Sequence, residues 1–397
     1  MNTKKIYILA FTLVVMTLGI GVIMPIIPFF IENLGAGGTE MGLLVAAYAA
    51  MRLLFGPVWG SLSDRYGRKP ILMIGVLGYG ISMIFFGLST QLWMLFLSRT
   101  LSGILASATS PTTMAYVSDT TSAKDRGKGM GILGAATGIG TILGPGLGGV
   151  LASESFATPF FFAGGMSFLA LLLIAIFVPE SLPAEARRTD VGKKSSMGMA
   201  MIWKVINSPV RLLLILGFIF TAGLLIFYGV FGLYALEKFG SGPEEVGVLF
   251  MVFGLVTTLA QGVLVGPLTR RWGEVRVIQF SFLLNVIGFI LIVLASSFSA
   301  LIWATGVFTL AISLVSPAVA ALTSKRSSMD QGILMGVSNS FMSLGRVLGP
   351  IWAGFAFDIN TDIPYISGAG FMFIGFLVSM VWLHDEGGDQ VVEVPVS

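Results

Sequence analysis

The chain has 397 residues, of which 55% are hydrophobic and only 11% charged, with a net charge of +3, no Cys and one His, His384. A water-soluble fold carries about 25% charged residues and would here expose too much apolar surface, while the absence of Cys removes disulfides and thiol chemistry and leaves metal and His-base chemistry poorly supported. A single membrane anchor is excluded too, because apolar runs recur along the whole length; a mean hydropathy of +0.91 belongs to an all-α polytopic membrane protein.

Runs of about 20 apolar residues cross a bilayer. Twelve are predicted, at 6–31, 41–62, 71–89, 92–117, 129–152, 158–178, 210–235, 245–268, 276–296, 299–322, 332–356 and 363–383. The opening "MNTKKIYILA" has the look of a secretory leader, but the apolar run behind it is too long and no small-residue cleavage site follows. Span 1 contains "GIGVIMPIIPFF" and ends at Glu32; span 2 carries Tyr48 and Arg52. Between spans 2 and 3 the stretch "WGSLSDRYGRKPIL" concentrates Asp64, Arg65, Arg68 and Lys69 in a chain otherwise poor in charge. Gly60 and Gly67 there permit a tight turn and close helix approach. Asp64 can cap a helix N-terminus or pair with a cation across the interface of two halves.

Span 4 holds Arg99 and Gly103 in "SRTLSGILASA" and is followed by Asp119; span 5 holds Gly140, Gly144, Pro145, Gly148 and Gly149. Proline removes an amide donor and kinks a helix, and glycines let helices pack closely in lipid. Span 11 repeats the Gly-Pro pair at Gly349-Pro350 and carries Arg346. At 1.5 Å rise per residue, Arg52 and Arg346 come out near mid-membrane, and an ion at that depth is costly and tends to be functional. All 20 acids lie in loops, tails or span ends, so no intramembrane proton carrier is evident. Tyr48, Phe220, Phe227, Tyr228, Phe231, Gln261, Asn285 and Asn339 are candidate pocket linings, and they favour an amphipathic ligand over a sugar, which needs many convergent polar groups.

Lys and Arg fix the expected orientation. Lys4 and Lys5, Arg65, Arg68 and Lys69, Lys124, Arg126 and Lys128, the linker group Arg187 to Arg211, Arg270, Arg271 and Arg276, and Lys325 and Arg326 all fall on one side. Lys238 alone falls on the other, and both termini are therefore expected in the cytoplasm. The chain also repeats itself: "MGLLVAAYAAM" at 41–51 aligns with "VGVLFMVFGLV" at 246–256, and "ILGPGLGG" at 142–149 with "VLGPIWAG" at 347–354, each at an offset of 205, while the "SP" at 110–111 matches that at 316–317, at 206. Two parallel six-helix halves explain this. The expected organisation is an N-terminal bundle at 1–178, a cytoplasmic linker at 179–209, a C-terminal bundle at 210–383 and a cytoplasmic tail at 384–397. In the second half "GPLTRRWGEVRVI" keeps Gly266, Leu268 and Gly273, but Arg270 stands where Asp64 does.

These motifs resemble the major facilitator superfamily over the whole chain, and most closely its twelve-helix drug:proton antiporter branch. The resemblance rests on Gly60-x-Leu62-x-Asp64-Arg65-x-Gly67-Arg68-Lys69, on Arg99 with Gly103, on Gly140-x-x-x-Gly144-Pro145-x-x-Gly148-Gly149, and on the prolines of span 1. It implies two pseudo-symmetric six-helix bundles and a conformational latch at Gly60, Asp64, Arg65, Gly67, Arg68, Lys69 and Asp119. It also implies proton coupling through Arg99 and an antiporter motif in span 5, and Glu32, at the outer end of span 1, is the acid expected to take part in that coupling. Substrate contacts are expected from Arg52, Arg346, Tyr48, Phe227, Tyr228, Phe231, Gln261 and Asn339. The implied activity is not enzymatic: it is proton-driven export of lipophilic or amphipathic compounds by alternating access. An alternative is transport of an anionic metabolite or lipid held by Arg52 and Arg346. The expected partners are a small lipophilic substrate, protons and membrane lipid, with no nucleic acid, no metal and no cofactor beyond the proton gradient. The chain is expected to work as a monomer in the inner (plasma) membrane.

Overall fold

The computed structural model describes residues 3–153, 155–183, 185, 187, 205, 208, 210–326 and 331–383. Most of the expected linker, including Arg188, Lys193, Lys194 and Lys204, and the whole tail with His384 lie outside the described residues.

Among the described residues the regular structure is helical. In chain order the helices are α1 (Thr3–Ile23), α2 (Ile27–Asn33), α3 (Gly38–Tyr66), α4 (Arg68–Gly87), α5 (Leu92–Ala106), α6 (Thr109–Thr120), α7 (Ala123–Ala152) and α8 (Thr158–Phe177). After the linker follow α9 (Arg211–Phe239), α10 (Pro243–Leu259), α11 (Val265–Leu294), α12 (Phe298–Lys325), α13 (Gln331–Ile359) and α14 (Ile363–Trp382). Two predicted spans are each split. Span 1 breaks before Pro28, which sits in the first turn of α2 where its missing amide costs nothing. Span 4 breaks at Ser107–Ala108, between α5 and α6. Among the described residues ten stretches are long and apolar enough to cross a membrane, and one of them, Pro243–Leu294, is 52 residues long, enough for two crossings.

That long stretch explains a detail of the repeat. The offset between the halves is 205 at residues 41–51 and 206 at Gly60 and Gly266, so the second half carries one additional residue in between. At that place Ala260–Leu264 forms a π turn joining α10 to α11. A π turn widens the hydrogen-bonded ring by one residue, so it absorbs an insertion while the helix continues on both sides. Gln261, a candidate lining residue, lies in this turn and is exposed.

The described residues fall into two compact units, one within Met1–Val191 with Gly232–Gly254 and one within Gly192–Phe231 with Leu255–Ser397. In the first, α1 packs on α7 and α8, and α4 on α5 and α8. Leu9, Leu13, Leu72, Val76, Tyr116, Leu133 and Ile174 form part of its core. In the second, α11 packs on α12 and α14, with Phe282, Phe289 and Phe308 fully buried. Large apolar side chains such as Leu54, Ile81, Ile176, Val263 and Trp303 remain exposed. In a chain of this composition that surface meets lipid, which solvates apolar groups as well as a core does.

Candidate functional site

The loop that concentrates charge in the sequence is a single bonded cluster in the structure. Helix α3 ends at Tyr66, Gly67 takes φ 106 and ψ 162, and α4 starts at Arg68. Only glycine adopts that backbone without strain, and a Cβ at Gly67 would also overlap the Glu180 carboxylate. Arg68 Nη1 donates to Asp64 Oδ1 at 2.6 Å and to Ser63 Oγ at 3.1 Å, while its Nε donates to Asp119 Oδ2 at 3.0 Å. The planar guanidinium thus ties the end of α3 to the end of α6. Burial works against the Arg68 charge, but the hydrogen bonds and charges of Asp119 and Asp64 outweigh it and hold the guanidinium above its ordinary range.

The amides at the start of α4, which have no partner within the helix, are capped by Glu180. Of the two roles open to Asp64 in the sequence, capping a helix or pairing with a cation, the structure shows an ion pair with Arg68 of the same loop. Glu180 Oε1 accepts from Arg68 N at 2.8 Å and Oε2 from Lys69 N at 3.1 Å. A carboxylate suits the positive end of a helix dipole. Lys69 Nζ donates to the Ala175 carbonyl at 2.8 Å, so both residues fasten α4 to the end of α8. Sequence reasoning missed Glu180; its signal was an acid directly behind a span, in "VPES". Arg65 is exposed and lies over the Tyr66 ring at 5.3 Å. Gly60 corrects an expectation: a Cβ there would meet nothing within 4 Å, so no close helix approach depends on it.

A second cluster forms inside the first unit. A Cβ at Gly103 would lie 2.7 Å from Met51 Cβ and 2.8 Å from the Tyr48 carbonyl, so α5 reaches α3 only because residue 103 lacks a side chain. One turn earlier on α5, Arg99 is 1% exposed and its guanidinium stands 5.5 Å from the Tyr48 ring and 5.8 Å from the Phe86 ring. Arg52, itself exposed, lies 5.8 Å from the same Tyr48 ring. Tyr48 therefore faces two cations, an arrangement that the negative ring quadrupole stabilises. Arg99 Nε and Nη2 and the buried Tyr79 hydroxyl find no hydrogen-bond partner among the described residues. Glu32 is exposed at the end of α2, and no hydrogen bond or ion pair joins it to Arg99.

The glycines of α7 are packing surfaces. A Cβ at Gly144 would lie 2.6 Å from the Leu18 carbonyl and one at Gly148 2.6 Å from that of Val22, while one at Gly140 would overlap Thr17 Oγ1, so this edge lies directly on α1. The other edge meets α10: a Cβ at Gly149 would lie 2.6 Å from the Pro243 carbonyl, and one at Gly247 2.7 Å from that of Pro145.

In the second unit a cavity of about 230 Å³ is lined by Gly217 and Phe220 of α9, Ser316, Val319 and Ala320 of α12, and Met335, Ser338, Asn339 and Met342 of α13. Asn339 and Phe220, both candidate lining residues, thus face this cavity. Phe227 and Phe231 do not: both are fully buried, their rings 4.2 Å apart, with Phe227 stacked on Phe308 at 4.3 Å. They are core, because their face of α9 is covered by α12. Tyr228 is half-buried beside Phe227, and Asn285 is buried with its amide donating to the Ser281 carbonyl. Arg346 is exposed on α13, with Nη1 3.2 Å from Ser343 Oγ. No group of three or more His, Cys, Asp or Glu that could hold a metal ion occurs among the described residues.

A family profile described as Major Facilitator Superfamily matches residues 9–242 and 213–396. Multidrug resistance protein 2 of Bacillus subtilis is 33% identical over 381 residues, covering 96% of this chain and 95% of that protein. Quinolone resistance protein NorA of Staphylococcus aureus is 29% identical over 379 residues, covering 95% and 96%. Among solved structures, the nucleoside transporter NupG superposes with a TM-score of 0.79 at 15% identity, covering 96% of this chain and 99% of that one, a likeness of fold.

Proposed function

The chain belongs to the major facilitator superfamily, and on that premise we propose that this transporter exports lipophilic or amphipathic compounds, a multidrug efflux activity, by proton antiport with alternating access. The observation that carries the reading is the chemistry of the α9–α12–α13 cavity. Phe220, Met335 and Met342 offer flat and polarisable apolar walls, while Ser316, Ser338 and Asn339 offer uncharged hydrogen-bonding groups. Methionine adapts its shape to different ligands, and a mostly apolar wall with few polar groups suits a weakly specified lipophile. The names of the relatives, multidrug and quinolone resistance proteins, point the same way.

In this reading the Asp64–Arg68–Asp119 cluster, with Gly67, Lys69 and Glu180, stabilises one state of the cycle. Arg99 couples the proton, acting through its buried charge on Tyr48 and Phe86 and not by losing its own proton. The chain sits as a monomer in the plasma membrane with both termini in the cytoplasm, and draws on the proton gradient alone. A second reading, transport of an organic anion, is favoured by the exposed guanidiniums of Arg52 and Arg346.

Inverted membrane vesicles containing the protein test both readings. Acidifying the lumen should drive uptake of neutral or cationic lipophilic dyes, and an uncoupler should abolish it. Preferential uptake of organic anions would instead favour the second reading, and uptake insensitive to the uncoupler would overturn proton antiport.

A further inference from the structure

The cytoplasmic loops of the two halves align at an offset of 206: Gly60 with Gly266, Leu62 with Leu268, Arg65 with Arg271 and Gly67 with Gly273. At the same offset Asp64 falls on Arg270, Arg68 on Glu274 and Asp119 on Lys325. The three members of the Asp64–Arg68–Asp119 network are therefore each replaced by a residue of opposite sign, while Arg65 keeps its sign in Arg271 and Lys69 gives way to Val275. The acid missing at position 270 has not been lost from the loop; it stands at 274.

The architecture survives the inversion. Gly273 takes φ 78 and ψ 158, close to the 106 and 162 of Gly67, and is the one non-helical residue inside α11. Lys325 Nζ lies 2.5 Å from Glu274 Oε1, where Arg68 Nε lies 3.0 Å from Asp119 Oδ2. In both halves the pair joins the residue after the positive-φ glycine to the end of the helix that carries the Ser-Pro step. Coulomb attraction is unchanged when both signs are exchanged, so the repeat has kept the interaction and not the residues.

The position of the pair gives it a task. Lys325 is the last residue of α12, and Ala320, Val319 and Ser316, five to nine residues before it, form the α12 wall of the cavity. At 1.5 Å per residue they lie about 8–14 Å up the helix. Glu274 belongs to α11, the helix on which α12 packs. We infer that Glu274 and Lys325 are a positioning pair that holds the cytoplasmic end of α12 against α11 and so sets the width of the α9–α12–α13 cavity. The inference rests on that cavity being the place where substrate is bound. The Lys325 side chain is 65% exposed, and an exposed pair biases an equilibrium only a few-fold, so its loss should alter substrate handling without unfolding the protein.

The chain has no Cys, so Ala320→Cys provides a single thiol on the cavity wall of the full-length protein. Its reaction rate with a water-soluble maleimide is measured in purified protein, alongside KM and kcat for dye uptake in vesicles. Lys325→Gln and Lys325→Glu should each change the thiol rate two- to five-fold and raise KM more than they lower kcat. The exchange Glu274→Lys with Lys325→Glu should bring both readouts most of the way back. Parent-like thiol rates in every variant, or an exchange variant as far from the parent as the single ones, would overturn the inference. If Ala320→Cys does not accumulate, the near-isosteric Ser316→Cys on the same α12 wall serves. A parent protein that moves no dye would defeat the export reading, while the thiol rates would still report whether the pair holds the wall.

Discussion

Replacing Arg68 by Ala removes the centre of the first cluster, and its cost can be worked from the geometry. The guanidinium makes bonds of 2.6 Å to Asp64, 3.0 Å to Asp119 and 3.1 Å to Ser63. An exposed ion pair contributes about 0.2–1 kcal/mol, whereas removing one partner of a buried pair costs about 3–5 kcal/mol because the other charge stays behind. Here the side chains are 11% exposed for Arg68, 33% for Asp64 and 28% for Asp119. The site lies between the two regimes, and a loss of about 2 kcal/mol follows. A double-mutant cycle of Arg68→Ala with Asp119→Asn isolates the link between α4 and α6, for which about 1 kcal/mol of coupling is expected. Arg68→Lys should recover little, since a single ammonium cannot serve both carboxylates in the geometry of a planar fork. The assay is denaturant unfolding in detergent micelles followed by Trp fluorescence. Coupling below about 0.3 kcal/mol, the ordinary error of additivity, or a Lys variant as stable as the parent, would refute the argument.

Three further outcomes are expected. Asp64→Asn, which keeps the shape of the loop but removes one of the two charges on Arg68, should abolish efflux while dye binding by the purified protein stays within about two-fold of the parent, as a change in state preference requires; unimpaired efflux would exclude the latch. Arg99→Ala should end proton-driven dye movement, and Arg99→Lys should restore it only in part, because an ammonium cannot stack flat on Tyr48 and Phe86; full activity in the Ala variant would remove Arg99 from coupling. Phe227→Ala should cost about 3–5 kcal/mol as a core truncation, measured as a fall in thermal stability, whereas Asn339→Ala should leave stability near the parent and shift the relative KM values of a dye panel. The opposite pattern would place Phe227 in the cavity and Asn339 in the core.

Hydropathy, the basic loops, the internal repeat and the Gly and Pro spacings are local properties, and they were enough to locate the apolar helices and the charged loop at 60–69 and to raise the expectation of two repeated halves. Each depends on what one stretch of chain prefers in lipid or at its surface, so it can be read without knowing what lies opposite. The change of offset from 205 to 206 marks one additional residue in the second half, but only the structure shows that a π turn at 260–264 takes it up. The tertiary structure alone decided the partners. Nothing in the spacing of Asp64 says that Arg68 will also reach Asp119, or that Glu180, 112 residues after Arg68, will cap α4. Phe220 and Phe227 are both aromatic residues on α9, and the sequence cannot say that one lines a cavity and the other stacks on Phe308. Those facts depend on which helix faces lie together, and that is fixed by packing among residues far apart in the chain. The charge inversion at Arg270, Glu274 and Lys325 shows the same division: sequence alone reads as a lost acid, and only the packing of α11 on α12 makes a pair of what remains.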